Sequence, residues 1–529
     1  MRDIIIIGGG HNGLITAALV GKAGLKPLVL ERAERVGGCA VTSTIAPGFY
    51  VPTLAHRAAI DPMVMRALDL ERHGLRIANA DARVCAPTGD GRALTLWANT
   101  DRAAQEVAAF SRHDGEAYPR FLESIAAVSG VVRGLLTEAP PEIQKPRAAD
   151  LLALLRTTRR FRALGKVHAY RLLRWMAMPV TDLMHEWFES EPLCATLAAD
   201  GVFGAFLGPR SPGSAALLLM RGAGEGQPVA PGWTVRGGIG TLSDALAGAA
   251  RRAGAEIRTA AEVERIAVTA GAATGVVLST GEEIPARLVV SNLDPQRTLL
   301  TMVDPVHLPG SFLQGIRLIR MRGTLSKVNY AVASLPRFTG LGNSSAGEQA
   351  AALSGCVRLC GSMIALERAF DAAKYGACSE EPWMELAVPS IADPGLAPAD
   401  QHVVSAYVQF TPHDLRGTTW NLERERLGDL ATRTIAAYAP GFERSILARQ
   451  VITPVDLERT WGLTGGQIFH GELALDQWLI ARPLVGWARY RTPIRNLFLC
   501  GAGTHPGTGL DGRSGALAAR EIINAAKQD

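Results

Sequence analysis

Residues 3–13 read DIIIIGGGHNG: four isoleucines, Ile4 to Ile7, run without interruption into Gly8-x-Gly10-x-x-Gly13. An apolar run that ends on this glycine spacing is the start of a βαβ dinucleotide-binding unit. Gly8 lets the chain turn sharply out of the strand, Gly10 lets the backbone approach a pyrophosphate, and Gly13 lets the helix pack closely on the sheet. His11 and Asn12 stand at the helix start, where backbone N–H groups and the helix dipole favour phosphate. Helical spacing continues through Leu14, Ala17, Ala18 and Gly21, and Ala23-Gly24 stops the helix. A second apolar run, Leu28 to Leu30, closes on Glu31, eighteen residues after Gly13. A carboxylate there accepts hydrogen bonds from an adenosine ribose and repels a 2′-phosphate, which disfavours NADP.

Beyond Glu31 come Arg32 and then Arg35-Val36-Gly37-Gly38-Cys39-Ala40, a second glycine pair with little use in a simple NAD domain. Far along the chain, residues 494–510 read IRNLFLCGAGTHPGTGL, an apolar strand, a Gly501-x-Gly503 turn, then Gly507 and Gly509 before a helix carrying Leu517, Ile522 and Ile523.

Together these segments resemble FAD flavoproteins of the phytoene desaturase and carotenoid oxidoreductase type. The likeness rests on GGGHNGL, ERAERVGGCAVT, SKVNYAVASLPRF (326–338), YAPGF (438–442), DLERTWGLTGGQIFHGELALDQ (456–477) and GAGTHPGTGLDG (501–512), and it is strongest toward the branch called pyridine nucleotide-disulfide oxidoreductase domain-containing protein 2. It spans residues 4 to about 525 and is weakest between about 100 and 230. The resemblance implies an α/β fold: a Rossmann-type FAD-binding domain with an inserted α+β substrate domain and a helical region, as in amine oxidases and phytoene desaturases. It implies FAD as cofactor, with Arg32, Gly37, Gly38 and Cys39 continuing the fingerprint and Val263 at the adenine. It also implies that Gly501, Gly503, Gly509 and Leu510 close over the flavin, whose reduced form the C-terminal helix dipole would stabilise. The chain departs from its relatives at Gly509-Leu510-Asp511-Gly512-Arg513-Ser514-Gly515, where many read HPGGGVxGAxG. An acid and a base beside the helix start mean that substrate identity does not carry over from the carotenoid branch.

A chain of 529 residues, 47% hydrophobic, buries a large core and has room for two or three domains. The net charge of +5, from 55 basic and 50 acidic residues, is too mild and dispersed to argue for nucleic acid. Seven cysteines show no C-x-x-C; Cys356 and Cys360, four apart, share a face if helical but make a poor redox pair. An odd count and an N-terminus that enters the first strand at once suit a cytoplasmic protein without a leader peptide. No run of about eighteen uncharged apolar residues argues for a membrane span. From Lys145 to Arg174, however, nine basic residues (Lys145, Arg147, Arg156, Arg159, Arg160, Arg162, Lys166, Arg171, Arg174) and one acid, Asp150, interleave with leucines and aromatics. That pattern suits a basic amphipathic helix at an anionic membrane surface, and equally a helix pair capping the substrate domain or an oligomer contact.

The organisation expected is FAD-binding for 1–100, a helical substrate- or membrane-facing region for 101–230, FAD-binding again for 231–300, a substrate domain with a sheet for 301–455, and FAD-binding for 456–529. Gly237 to Gly240 opens a helix but is no second dinucleotide site, because Gln227 to Arg236 contain no apolar strand. With no second Rossmann unit for NAD(P)H, electrons should leave the flavin to oxygen, a quinone or another carrier. No nucleophile elbow, H-E-x-x-H or phosphate-binding loop occurs, and a flavin desaturase needs none. His505, in the Gly503–Gly507 turn, is the first candidate to stabilise reduced flavin or shuttle a proton, or else it only braces the turn; Tyr490, with Arg491, is the second. Asp511 and Arg513 read as a surface pair rather than substrate determinants; His56, Gln467 and His470 are weaker candidates. The expected activity is FAD-dependent removal of hydride from a C–H or C–N bond of a small, largely apolar or amphipathic molecule, desaturation leading. The alternatives are a redox-neutral polyene isomerase and a non-enzymatic flavin-binding protein that associates with a membrane or partner.

Overall fold

A computed structural model of the chain describes residues 2–142, 146, 148–225, 232–342 and 344–527. The isoleucine run forms the strand Arg2–Ile7, and Ile4 to Ile7 are all buried. Ile4 and Ile6 join one apolar core while Ile5 and Ile7 join another, so this strand is covered on both faces. A continuous rather than alternating apolar run follows from that double burial. The strand pairs in parallel with Pro27–Leu30 on one side and Glu283–Ser291 on the other, aligning Ile7 with Leu30 and Ser291. Glu256–Arg258 extends the sheet beyond Pro27–Leu30, and Leu497–Leu499 pairs with Glu283–Ser291. The antiparallel strands Val263–Thr269 and Ala272–Leu278 complete its far edge. Helix His11–Lys22 packs against helices Gly240–Arg252 and Arg513–Ala526 on one face.

A second seven-stranded sheet runs in the order Ile446–Ile452, Leu325–Val332, His402–Gln409, Met384–Ala387, Cys356–Leu359, Ala82–Pro87, Ala93–Trp97. The last two strands correct the expected boundary at residue 100, because they belong to this sheet and not to the dinucleotide-binding one. Helix Gly310–Leu318 corrects the boundary near 301, since Phe312, Leu313 and Ile316 pack into the core behind the first sheet. Between 101 and 225 the chain is largely helical, including Arg112–Leu136, Ala148–Ala163, Gly165–Ala177 and Ser214–Glu225. Cys356 lies on a strand, so it shares no helical face with Cys360. Lys145 and Arg147 of the basic stretch, and Gln227 to Pro231 before Trp233, lie outside the described residues.

Register makes the second sheet two-faced. Lys327 pairs with Tyr407, Tyr407 with Glu385, and Glu385 with Arg358, forming one cross-strand row over four neighbouring strands. The next row, Val328, Ala406, Leu386 and Val357, points into an apolar core on the opposite face. Successive side chains of a strand alternate faces, so a polar row on one side and an apolar row on the other follow from the same pairing.

Candidate functional site

Between the two sheets lies one cavity of about 820 Å³, lined at one end by Gly8, Gly10, Glu31 and Val263 and at the other by Lys327, Glu385 and Tyr407. At the first end the glycine loop has the geometry its sequence demands. Gly8 has a φ of +93°, and a Cβ on Gly13 would sit 2.3 Å from the Gly8 carbonyl oxygen. A Cβ on Gly10 would lie 2.9 Å from Asn292 Nδ2, which donates to the Gly8 carbonyl at 3.3 Å. Asn292, at the end of the Glu283–Ser291 strand, thus braces the loop from beneath. Glu31 accepts from the N–H groups of Gly9 (2.7 Å) and Ala33 (2.9 Å), which fixes its carboxylate at the cavity wall.

Of the expected cofactor residues, Gly8, Gly10, His11, Asn12, Glu31, Arg32, Gly38, Cys39, Val263, Gly509 and Leu510 all line this cavity. Gly13, Gly37, Gly501 and Gly503 stand behind the wall as close-approach positions; a Cβ on Gly501 would meet the Asn292 carbonyl at 2.5 Å, and one on Gly503 would meet Pro295 Cδ at 2.3 Å. Burial pushes the Cys39 thiol up to about 12, as it does the other six cysteines, so none is a thiolate at neutral pH.

Two expected catalytic residues are corrected. His505 is 1% exposed and its Nε2 lies 3.0 Å from the Leu135 carbonyl, so its ring faces the end of helix Arg112–Leu136 and does not line the cavity. Tyr490 is fully buried and donates its hydroxyl to the His505 backbone carbonyl at 2.9 Å. Both are framework: they hold the turn that carries Gly501 to Gly507. Arg491 lies over the Phe498 ring, away from the cavity wall.

The expected surface pair is also corrected. Asp511 lines the cavity and is 3% exposed, Arg513 is 5% exposed, and their ion pair measures 3.3 Å. Arg513 is shared with Asp61 at 2.8 Å. Two carboxylates about one guanidinium leave this triad one negative charge in excess. Gln467 donates to the carbonyls of Gly204 and Arg322 and is wholly structural.

In the sequence Lys327 stands only as part of an apolar strand, and His56 only as a weak candidate; the structure joins them. Lys327 Nζ lies 2.9 Å from His56 Nδ1 and 3.8 Å from the centre of the Tyr407 ring. His56 Nε2 faces Glu385 at 3.6 Å, and Glu385 is held by Arg358 at 3.1 Å. Arg358 pairs in turn with Asp200 through two nitrogens, at 3.0 and 2.7 Å. Burial pushes Lys327 well below the ordinary lysine value, against the pull of Glu385. Burial, reinforced by Lys327, lowers His56 to about 3. At Glu385 burial opposes the charge and is outweighed by Arg358, which with His56 holds the carboxyl well below its usual range. The clue available in the sequence is a lysine as the one charge in the strand LSKVNYAV, which is buried throughout.

The cavity fits a dinucleotide on observations of its own. Among the described residues, His11 Nε2 and His470 Nδ1 are buried polar atoms without a hydrogen-bond partner, and both residues line the wall. Such atoms are costly unless a ligand or water satisfies them.

Comparison with known proteins agrees with this geometry. The profile of flavin-containing amine oxidoreductases matches residues 179–523, and that of an NAD(P)-binding Rossmann-like domain matches residues 6–68. The chain is 37% identical to pyridine nucleotide-disulfide oxidoreductase domain-containing protein 2 of Rattus norvegicus, across 99% of this chain and 94% of the relative. It is 25% identical to a limonene dehydrogenase chain of Castellaniella defragrans, across 98% and 94% of the two chains. Among solved structures, cyclohexylamine oxidase from Brevibacterium oxydans superposes with a TM-score of 0.58 at 17% identity, covering 100% and 99% of the two chains.

Proposed function

This chain belongs to the flavin-containing amine oxidoreductase family, and we propose that it dehydrogenates a small, largely apolar molecule at a C–H or C–N bond, with desaturation the leading reaction. The family makes it an oxidoreductase with a flavin cofactor, which sets aside the non-enzymatic reading. The observation that carries the proposal is the continuity of one cavity from the glycine loop and Glu31 to Lys327 and Glu385. Phe203, Leu325, Ile468, Phe469 and Leu473 share the second end with those polar groups, which suits a hydrocarbon skeleton. The name of the limonene dehydrogenase relative supports the same substrate class.

In the proposed assignment Gly8 to Gly13 receive the FAD pyrophosphate at the start of helix His11–Lys22, Glu31 holds the adenosine ribose, and Val263 lies against the adenine. FAD supplies the hydride acceptor. Lys327 is the buried group able to take or hold a proton at Nζ as the substrate is oxidised, while Tyr407 and Phe203 shape the wall beside it. The surrounding apolar side chains exclude water. The electron acceptor is oxygen, a quinone or another carrier.

The test is an absorption spectrum before and after acid precipitation, followed by anaerobic mixing with cyclic terpenes, polyenes and amines. Released flavin with bands near about 370 and 450 nm, and bleaching by a terpene or polyene, are the expected results. Bleaching by amines alone would shift the reading to C–N oxidation. Turnover of a polyene without net electron transfer would favour the isomerase.

A second observation favours a peripheral membrane contact. On the helices Ala148–Ala163 and Gly165–Ala177, Leu151, Leu152, Leu155, Val167, Tyr170 and Leu173 are each more than half exposed. Exposed Arg156, Arg159, Arg162 and Lys166 lie among them, the chemistry of an anionic lipid surface. No helix among the described residues is long and apolar enough to cross a membrane.

A further inference from the structure

Three buried polar side chains from separate segments meet at the inner end of the cavity: Lys327 (2% exposed), His56 (5%) and Glu385 (3%). We infer that His56 and Glu385 are positioning residues for Lys327: Glu385 keeps the His56 proton on Nε2, so that Nδ1 stays bare and accepts an N–H from Lys327. The inference rests on the flavin-site reading of this cavity and assigns what two of its residues do.

The carboxylate selects the tautomer, and the ammonium form of Lys327 agrees with it. An ammonium has no acceptor, so at 2.9 Å from Nζ the Nδ1 atom offers its lone pair while Lys327 is charged; a neutral amine can donate or accept there, and the carboxylate then decides. On the other side of the ring, Nε2 faces a carboxylate oxygen at 3.6 Å. An N–H there is attracted to the carboxylate, whereas a lone pair would be repelled. The distance makes this an electrostatic contact rather than a full hydrogen bond.

The ring cannot swing out of this arrangement. His56 packs on Tyr407 with ring centres 4.3 Å apart and planes tilted by 45°, and Lys327 Nζ lies over the same tyrosine. Glu385 is itself anchored by Arg358, whose second partner is Asp200. The ionisable groups facing this centre are Arg57 from the loop bearing His56, Arg221 from helix Ser214–Glu225, Arg358 and Glu385 from their strands, and Tyr407 and Cys39. The lowered titration of His56 fits a neutral ring with one donor and one acceptor.

The consequence is directional. One N–H of Lys327 is spent on His56, so the rest of the amine is turned to the cavity, where a lone pair is useful when the amine is neutral. A histidine that merely filled core space would need neither a fixed tautomer nor a carboxylate behind it.

The experiment uses holoenzyme labelled with 15N-histidine, with the His56 signals identified by their loss in His56→Gln. The expected spectrum is a neutral ring with its proton on Nε2 throughout the neutral pH range. Loss of that single tautomer in Glu385→Gln is the second expected result. A flavin absorbance titration gives a further readout: an ionisation present in the wild type and absent in Lys327→Met should move to lower pH in Glu385→Gln, because the charge that favours the ammonium is gone. A wild-type imidazolium or an Nδ1–H tautomer overturns the inference, as does a folded Glu385→Gln holoenzyme with an unchanged tautomer and titration. Should Glu385→Gln not fold, the wild-type tautomer alone decides. A wild-type protein that holds no flavin would instead defeat the cofactor reading, which keeps the two failures apart.

Discussion

The guanidinium of Arg482 meets the carbonyl oxygen of Ala502 through two nitrogens, Nε at 3.1 Å and Nη2 at 2.9 Å. Its remaining hydrogen bonds go to the carbonyls of Phe469, Gly471, Glu472 and Gln477. A buried arginine is thereby satisfied entirely by backbone, and it ties the 469–477 segment to the 501–507 turn. Arg482→Met leaves those five carbonyls without this donor, and each lost partner costs about 1–3 kcal/mol. We expect a loss on the order of 3 kcal/mol or more in thermal or denaturant unfolding. Arg482→Lys should recover little, because an ammonium cannot span five acceptors.

Gly10→Leu should leave the fold intact and remove the flavin. The clash at 2.9 Å is with the Asn292 side chain, which can move, so the new side chain occupies the space of the pyrophosphate instead. A yellow, fully loaded Gly10→Leu protein would falsify the fingerprint assignment.

Glu31→Ala removes a carboxylate pinned by Gly9 and Ala33. Hydrogen bonds to a charged group contribute about 1.5–3 kcal/mol, so FAD affinity should fall roughly 10- to 100-fold. Reconstitution of the apoprotein, followed by flavin fluorescence, measures this; an unchanged affinity would move the ribose elsewhere.

Four buried histidines make stability sensitive to acid. Burial holds His56 at about 3 and His11, His470 and His505 at about 4, below the ordinary 6.5. Between those values and 6.5 the unfolded chain binds the extra protons, so stability is fully present above about 6.5 and is lost as pH falls toward 4. Each group contributes at most about 1.4 kcal/mol per pH unit. Melting curves across that window should show the decline, and His505→Gln should flatten it by about one proton. Equal slopes in both proteins would mean that His505 is already charged when folded.

For the membrane contact, Leu151→Ser combined with Leu155→Ser should reduce co-sedimentation with vesicles rich in anionic lipid while leaving the flavin spectrum unchanged. Binding that is indifferent to both the leucines and the lipid charge would argue instead for a contact between copies of the chain.

The dinucleotide loop is legible in the sequence because it is local: strand, glycines, helix and acid lie within residues 3 to 31. The polar end of the cavity is not, because His56 and Lys327 are 271 positions apart and only the packing of the loop bearing His56 against the second sheet brings them into contact. Lys327 carries a faint signal as a charge in an apolar strand, and Glu385 another, standing in the four-residue strand MELA. His505 misleads for the converse reason. Its place in the glycine turn is readable, but which way its ring points is decided by the end of a helix at Leu135, a contact that no spacing along the chain records.

The first sheet takes strands from residues 2–7 and 497–499, and the cavity is lined by Gly8 and Gly10 at one extreme of the numbering and by Gly509 to Asp511 at the other. During synthesis, therefore, the glycine loop emerges early but has no completed pocket to serve until residue 511 has left the ribosome. On the proposed assignment flavin capture waits for that residue, and a chain cut short before it would also lack helix Arg513–Ala526, whose Leu517, Ala518 and Ile522 cover one face of the first sheet.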